Sequence, residues 1–218
     1  MSRRRPSPAG RAVLLLALPV LIGVPGCTRP VEGALAAPAS ESRADAGELE
    51  ELIVTEVPSG LPRMPDEDVV PRAGAKRVED IAGYSDDPER ERAVLREYGY
   101  RYGWERFWGT GTGPVTGVFV DRFDSRAGAG AYAEDLARND AEHYRGLLSE
   151  NPPELPGGCW RLTVETPDPA QLHGPAAMAW CVRGVFSVSA SSVTSSVDAA
   201  EEEVRAVLTA QLDLLPPR

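Results

Sequence analysis

Apolar positions along this chain alternate between helical spacing and a period of two. Asp87-Pro88-Glu89 opens a helix: the aspartate can cap, proline suits the first helical position, and glutamate favours the positive end of the helix dipole. That helix should run to about Tyr98, where Gly99 can end it. Tyr100, Tyr102 and Trp104 then recur at strand spacing, and Gly109 to Pro114 reads as a turn. Val115 to Phe123 is a second strand, so 100–108 and 115–123 are expected to form a hairpin. A helix follows over about 126–148, with Tyr132, Leu136, Tyr144, Leu147 and Leu148 as its apolar stripe. Three strands are expected at 160–166, 176–183 and 185–192, with Arg183-Gly184 as the tight connection between the last two. Asp198 should cap a final helix, with Glu201 as its capping-box acid. In the last of these strands Phe186, Val188 and Ala190 should be buried, with Ser187, Ser189 and Ser191 outside.

Ahead of these elements, residues 49–57 read as a short strand or extended lead-in, and 61–86 as a surface loop rich in Pro, Asp and Arg. The order of elements predicts an α+β fold: an antiparallel sheet of about five strands with helices packed on one face.

The N-terminus changes the picture. Arg3, Arg4, Arg5 and Arg11 precede thirteen mostly apolar residues, Ala12 to Val24. This is the form of an export signal, and the run is short for a membrane span. Val24-Pro25-Gly26-Cys27 closes it, and this stretch resembles the lipobox of bacterial lipoproteins, although Pro25 stands where Ala, Ser or Thr is usual. The resemblance implies a signal peptide over 1–26, lipidation (palmitate included) at Cys27, and attachment to the outer face of the cell membrane. Cleavage at Ala34-Leu35-Ala36 would instead release a secreted protein, and an uncleaved anchor is the third option. Residues 27–48 carry no apolar period and are expected to form a disordered tether, leaving 49–218 as one α+β domain.

Charge narrows the partners. The chain's formal net charge is −10, and the leader holds four arginines and no acid, so −14 remains beyond it. Such a surface repels nucleic acid and anionic headgroups. The membrane is then a partner through the lipid alone, and an envelope protein or a small-molecule ligand is the remaining kind of partner.

With Cys27 assigned to the anchor, Cys159 and Cys181 remain, and an even pair outside the cytoplasm reads as a disulfide. If 160–166 and 176–183 pair about a turn near 170, Cys159 lies nearly opposite Cys181. The alternative, a catalytic thiol using His173, is disfavoured by the apolar strand around Cys181, where a thiolate is costly.

Catalytic signatures are missing. There is no G-x-S-x-G, no Ser-x-x-Lys, no phosphate loop, no H-E-x-x-H and no C-x-x-C. Gly109-Thr110-Gly111-Thr112-Gly113 lacks the spacing of a dinucleotide loop. Two histidines cannot build a multi-histidine metal site; His143 beside Asn139 and Asp140 offers too few ligands, and His173 has no assigned role. Glu201-Glu202-Glu203 reads as a solvated helix start. No cofactor is expected. Six of the chain's aromatic residues fall between Tyr98 and Trp108. They are either one covered face of the sheet or, with Tyr100, Tyr102, Trp104, Trp108 and Arg101, an exposed ligand face; a one-sided sheet favours core. On the core reading Arg101, Glu105 and Arg106 face solvent or the mouth of a groove.

Pro58-Ser59-Gly60-Leu61, Gly99 to Trp104, and Val118 to Ser125 leading into an Ala-rich helix give the stretch from about 49 to 215 its character. It resembles a family of actinobacterial cell-surface lipoproteins, a likeness that brings no known active site. Scarce lysine, Lys76 alone, agrees with the codon bias of that group. The topology of a one-sided sheet in an exported protein also resembles the Mog1/PsbP-like group. The expected function is therefore non-catalytic: an extracytoplasmic, lipid-anchored domain binding a ligand or protein partner. An envelope hydrolase or transferase using scattered carboxylates, and a purely structural envelope protein, are the alternatives. A deep pocket with paired buried carboxylates would favour the enzyme, and an open aromatic face would favour binding.

Overall fold

The computed structural model describes residues 46–111, 113–168 and 172–216. The expected leader, Cys27 and the expected tether up to residue 45 lie outside these. Residues 46–50 are helical (α1) and Ala46 and Leu49 are buried, so the packed chain starts before residue 49; of the two readings for 49–57, a strand or an extended lead-in, the strand does not form.

The sheet has seven strands, not five: β1 (Gly74–Lys76), β2 (Tyr100–Gly109), β3 (Val115–Phe123), β4 (Leu147–Glu150), β5 (Trp160–Val164), β6 (Ala176–Arg183) and β7 (Phe186–Val193). Their spatial order is β1-β2-β3-β7-β6-β5-β4, and every neighbouring pair is antiparallel. The five strands expected from sequence form its centre, and the two extra strands are short edges. β1 arises inside the segment read as a loop. β4 arises where the long helix was expected to continue. That helix, α4 (Arg126–Tyr144), stops because Arg145 turns left-handed (φ 55°) and Gly146 passes against β5: a Cβ there would lie 2.6 Å from both Leu162 and the Thr163 carbonyl.

The other helices are α2 (Val78–Ala82), α3 (Pro88–Tyr98) and α5 (Val197–Leu214). α3 has its expected ends: the Asp87 carboxylate accepts from the Arg90 N–H at 3.1 Å, and Gly99 closes it at φ 75°. α5 is capped by Ser196, which accepts from the Ala199 N–H, rather than by Asp198. β6 and β7 join through a two-residue turn with Gly184 at φ 59°, as a hairpin this tight requires.

Helices cover both faces of the sheet, which corrects the one-sided expectation. α5 packs on Val118, Val120, Ala177, Ala179, Val188 and Ala190. α4 packs on the opposite side, against Leu162, Ala176, Met178 and Trp180. α2 and α3 extend that second layer through Ala82, Leu95, Tyr100 and Phe123. Because β6 is covered on both sides, its burial is almost continuous rather than alternating.

Residues 46–64 lie over the α5 side as a strap. The Gln211 side chain accepts from the Val54 N–H and donates to the Leu52 carbonyl. Arg106 donates to the carbonyls of Ile53 and Val54. The buried Glu203 carboxylate accepts from the Ser59 N–H and hydroxyl and from Thr116. Glu203 therefore does not belong to a solvated acidic run.

Cys159 and Cys181 form a disulfide with their Cα atoms 4.3 Å apart. The register Trp160 opposite Trp180 brings the preceding and following residues, the two cysteines, face to face.

Candidate functional site

The five residues of the proposed ligand face do not share a surface. A β-bulge between Tyr100 and Tyr102 shifts the register of β2 against β3. A shift of one residue reverses which side of a sheet a side chain occupies. Tyr102, Trp104 and Trp108 consequently enter the α5-side core. Tyr100 enters the other layer, edge-on to Phe123 at 5.5 Å. Arg101 is exposed and pairs with Asp124. The aromatic run is thus core, on two faces. Glu105 and Arg106 are both buried, at 5% and 3% exposure, and do not face solvent.

The concave site lies between the α4 layer and the sheet. It is a pocket of about 490 Å³ lined in part by Ile81, Tyr84, Phe119, Leu136, Met178 and Trp180. Its polar groups are Glu105, Asp121, Asp140, His143, Ser189 and Ser191. The serines lie on the face of β7 turned away from α5, which the second helix layer makes a pocket wall instead of a solvent surface.

Strand pairing explains how two acids meet here. Glu105 lies opposite Phe119, and Gly103 lies opposite Asp121, so the two carboxylates project from the same face, two residues apart in register. Glu105 is held tightly. Lys76 Nζ stands 2.9 Å from its carboxylate with both side chains almost wholly buried. The same ammonium donates to Tyr84 Oη at 2.6 Å and to the Arg72 carbonyl. Tyr84 Oη in turn lies 3.0 and 3.1 Å from the two Glu105 oxygens. Burial still pushes the Glu105 carboxyl upward, against the pull of Lys76. Burial and the neighbouring Glu105 charge drive the Tyr84 phenol well above its usual range.

Asp121 is different. It is 7% exposed, lines the pocket, and makes no ion pair with any described residue. Burial first, and the Glu105 charge second, raise its carboxyl to about 7, opposed by the Tyr100 hydroxyl and by Lys76. Gly103 makes room for it: a Cβ there would fall 2.2 Å from Asp121 Oδ1 and 2.8 Å from the Tyr100 hydroxyl. On α4, burial raises the Asp140 carboxyl to about 6, with His143 working the other way.

No group of three or more His, Cys, Asp or Glu residues among the described residues is placed to hold a metal ion. The polar cleft near the start of α5 is lined by Arg161, which pairs with Glu154 and Glu201, and by Asp198, Glu202 and Arg205.

Sequence reasoning missed Asp121, Lys76 and Tyr84, and placed Glu105 at solvent or the mouth of a groove without giving it a role in a site. One signal was available: Asp121 stands at strand spacing between the half-buried Phe119 and the buried Phe123, an acid in register with packed rings. His143, read as solvent-facing or partly packed, lines the pocket rim, and His173 lies away from it.

No protein-family model matches the chain, and no curated protein matches it. Among solved structures, it is similar to the extracellular domain of PknH from Mycobacterium tuberculosis, at 13% identity over 56% of this chain and 69% of that one, with a TM-score of 0.41. No helix among the described residues is long and apolar enough to cross a membrane.

Proposed function

We propose that this chain is an extracytoplasmic, lipid-anchored domain that binds a small molecule, without catalysis, in the pocket between the sheet and α4. One observation carries the reading: a buried carboxylate with no cationic partner, Asp121, lines an otherwise largely apolar pocket. An acid in that setting is costly to keep unless something else compensates it, and a mostly apolar cavity with a few convergent polar groups is the usual form of a ligand site. A purely structural role gives no reason for that cost. The location rests on the leader ending at Cys27, with the Cys159–Cys181 bridge as support, since such bridges persist in oxidising compartments.

The enzyme reading keeps one argument, the two buried carboxylates with Asp121 poised near neutral pH. A general acid or base with that affinity for protons is well matched to its task. Glu105, however, is committed to Lys76 and Tyr84, and the hydroxyl opposite Asp121 across β3 and β7, that of Ser187, is buried and does not line the pocket.

Intact-mass analysis of natively purified protein tests both halves. The expected result is a diacylglyceryl-modified chain beginning at Cys27, together with a small molecule whose retention is lost in a Ser189→Phe variant that fills the pocket. An unmodified full chain in the cytosol overturns the location. Copurification that ignores Ser189→Phe overturns the site, and turnover of the retained molecule that depends on Asp121 transfers the assignment to the enzyme.

A further inference from the structure

The charge inventory of the pocket restricts what can fill it. No described arginine lines it. Lys76 stands behind Glu105, is 2% exposed, and is engaged by Glu105, Tyr84 and the Arg72 carbonyl. Its charge and that of Glu105 cancel. An incoming carboxylate or phosphate would therefore find at most the rim imidazole of His143, which already acts on Asp140, and would face Asp121 and Asp140. A cation meets the reverse situation. Asp121 is more than nine-tenths buried, faces the pocket, and has no ion pair. The rings of Tyr84, Phe119, Tyr132, Tyr144 and Trp180 surround the same space, and ring faces attract cations, most strongly where water is excluded. Met178, Leu136 and Ile81 leave the rest apolar.

Resting on the binding reading above, we propose that the ligand is an amphiphilic monocation: an ammonium or guanidinium group docks on Asp121, and its apolar body lies along Phe119, Met178 and Trp180. The ligand supplies the counter-charge that the fold withholds. Binding is then linked to protons, because a cation prefers the ionised carboxylate and Asp121 titrates near 7. The groups facing Asp121 are Tyr100 and Glu105 from β2, Lys76 from β1, Tyr84 beyond α2, and Tyr132, Asp140 and His143 from α4. Lys76 and Glu105 compensate each other, and Asp140, raised to about 6, ionises over an overlapping range and acts in the same direction.

Three probes sharing one body separate the possibilities: 3-phenylpropylamine, 3-phenylpropan-1-ol and 3-phenylpropanoate. Each is titrated by saturation-transfer NMR against the full chain in lipid nanodiscs, with empty nanodiscs as the blank. The amine should bind at least about ten-fold more tightly than the alcohol, as expected for a charge paired in a desolvated site, and the carboxylate should not bind. Amine affinity should rise about ten-fold from pH 6 to pH 8 as Asp121 ionises, while alcohol affinity stays level or falls. The isosteric Asp121→Asn variant should bring amine and alcohol within about two-fold of each other, the charge preference having gone. An alcohol or carboxylate that matches the amine, and is displaced by Ser189→Phe, leaves the binding site standing and overturns the cation. Probes that never respond to Ser189→Phe overturn the binding reading itself.

Discussion

Lys76 and Glu105 form an ion pair of 2.9 Å in which neither side chain keeps more than 6% of its surface exposed. Breaking such a pair on one side leaves a buried charge alone, which costs about 3–5 kcal/mol. Lys76→Met should destabilise by about that amount. Lys76→Met combined with Glu105→Gln should recover most of the loss, because no orphan charge remains. Urea unfolding of the two singles and the double gives the coupling; additive losses would mean the pair is not a unit.

Asp121 gives a pH signature of opposite sign to an ordinary salt-bridged acid. Its carboxyl titrates near 7 in the fold against 3.8 for an unperturbed aspartate. Between those values the folded chain holds a proton that the unfolded chain has released, so stability falls as pH rises from about 4 to 7 and is level above. Asp121→Asn removes this penalty. Its gain should be near zero at pH 4, grow to pH 7, and reach on the order of 2–4 kcal/mol beyond. Melting curves across that range check it, and a gain independent of pH contradicts it.

Trp104 and Trp108 belong to the α5-side core, on the other face of the sheet from the pocket. Trp104→Ala and Trp108→Ala should each cost about 3–5 kcal/mol through the cavity they leave. Probe affinity in the folded fraction should stay within about two-fold, since sites without shared contacts act independently. A stable Trp104→Ala variant with altered binding would restore the exposed-platform reading.

Reduction of Cys159–Cys181, which closes a loop of sequence separation 22, should lower stability by about 3 kcal/mol through the freed unfolded chain. Native protein should show no reactive thiol at either position, and reduced protein should melt at lower temperature while keeping its far-ultraviolet circular dichroism below the transition.

The central hairpin, α3 and the cysteine pairing were legible because each rests on local chemistry: an Asp-Pro-Glu start, a glycine stop, alternating apolar residues, and the strand register that sets Cys159 against Cys181. The edges were not. β1 and β4 are three and four residues long, too short to carry a period, and exist because a longer neighbour offers them a ladder. The second helix layer was invisible for a related reason. Alternating Ser187, Ser189 and Ser191 reads as a wet face, yet Ser187 is buried, and only α4 folding across β6 and β7 makes Ser189 and Ser191 a pocket wall. The acids of the pocket hide in the same way. Glu105 sits among rings and Arg106 in β2, where a bulge at Tyr100 to Tyr102 divides the aromatic residues between the two faces. No count of aromatics along the sequence contains that twist.

The strap over residues 46–64 has a mechanical consequence. It is riveted to α5 by Gln211 and Glu203 and to β2 by Arg106. Tension applied to the chain ahead of residue 46 therefore meets those side chains and the buried Ala46, Leu49, Ile53 and Val57, at the back of the sheet. The cavity opens on the other face, off that path, so on the anchored-binder reading tugging on the leash and filling the cup are independent events.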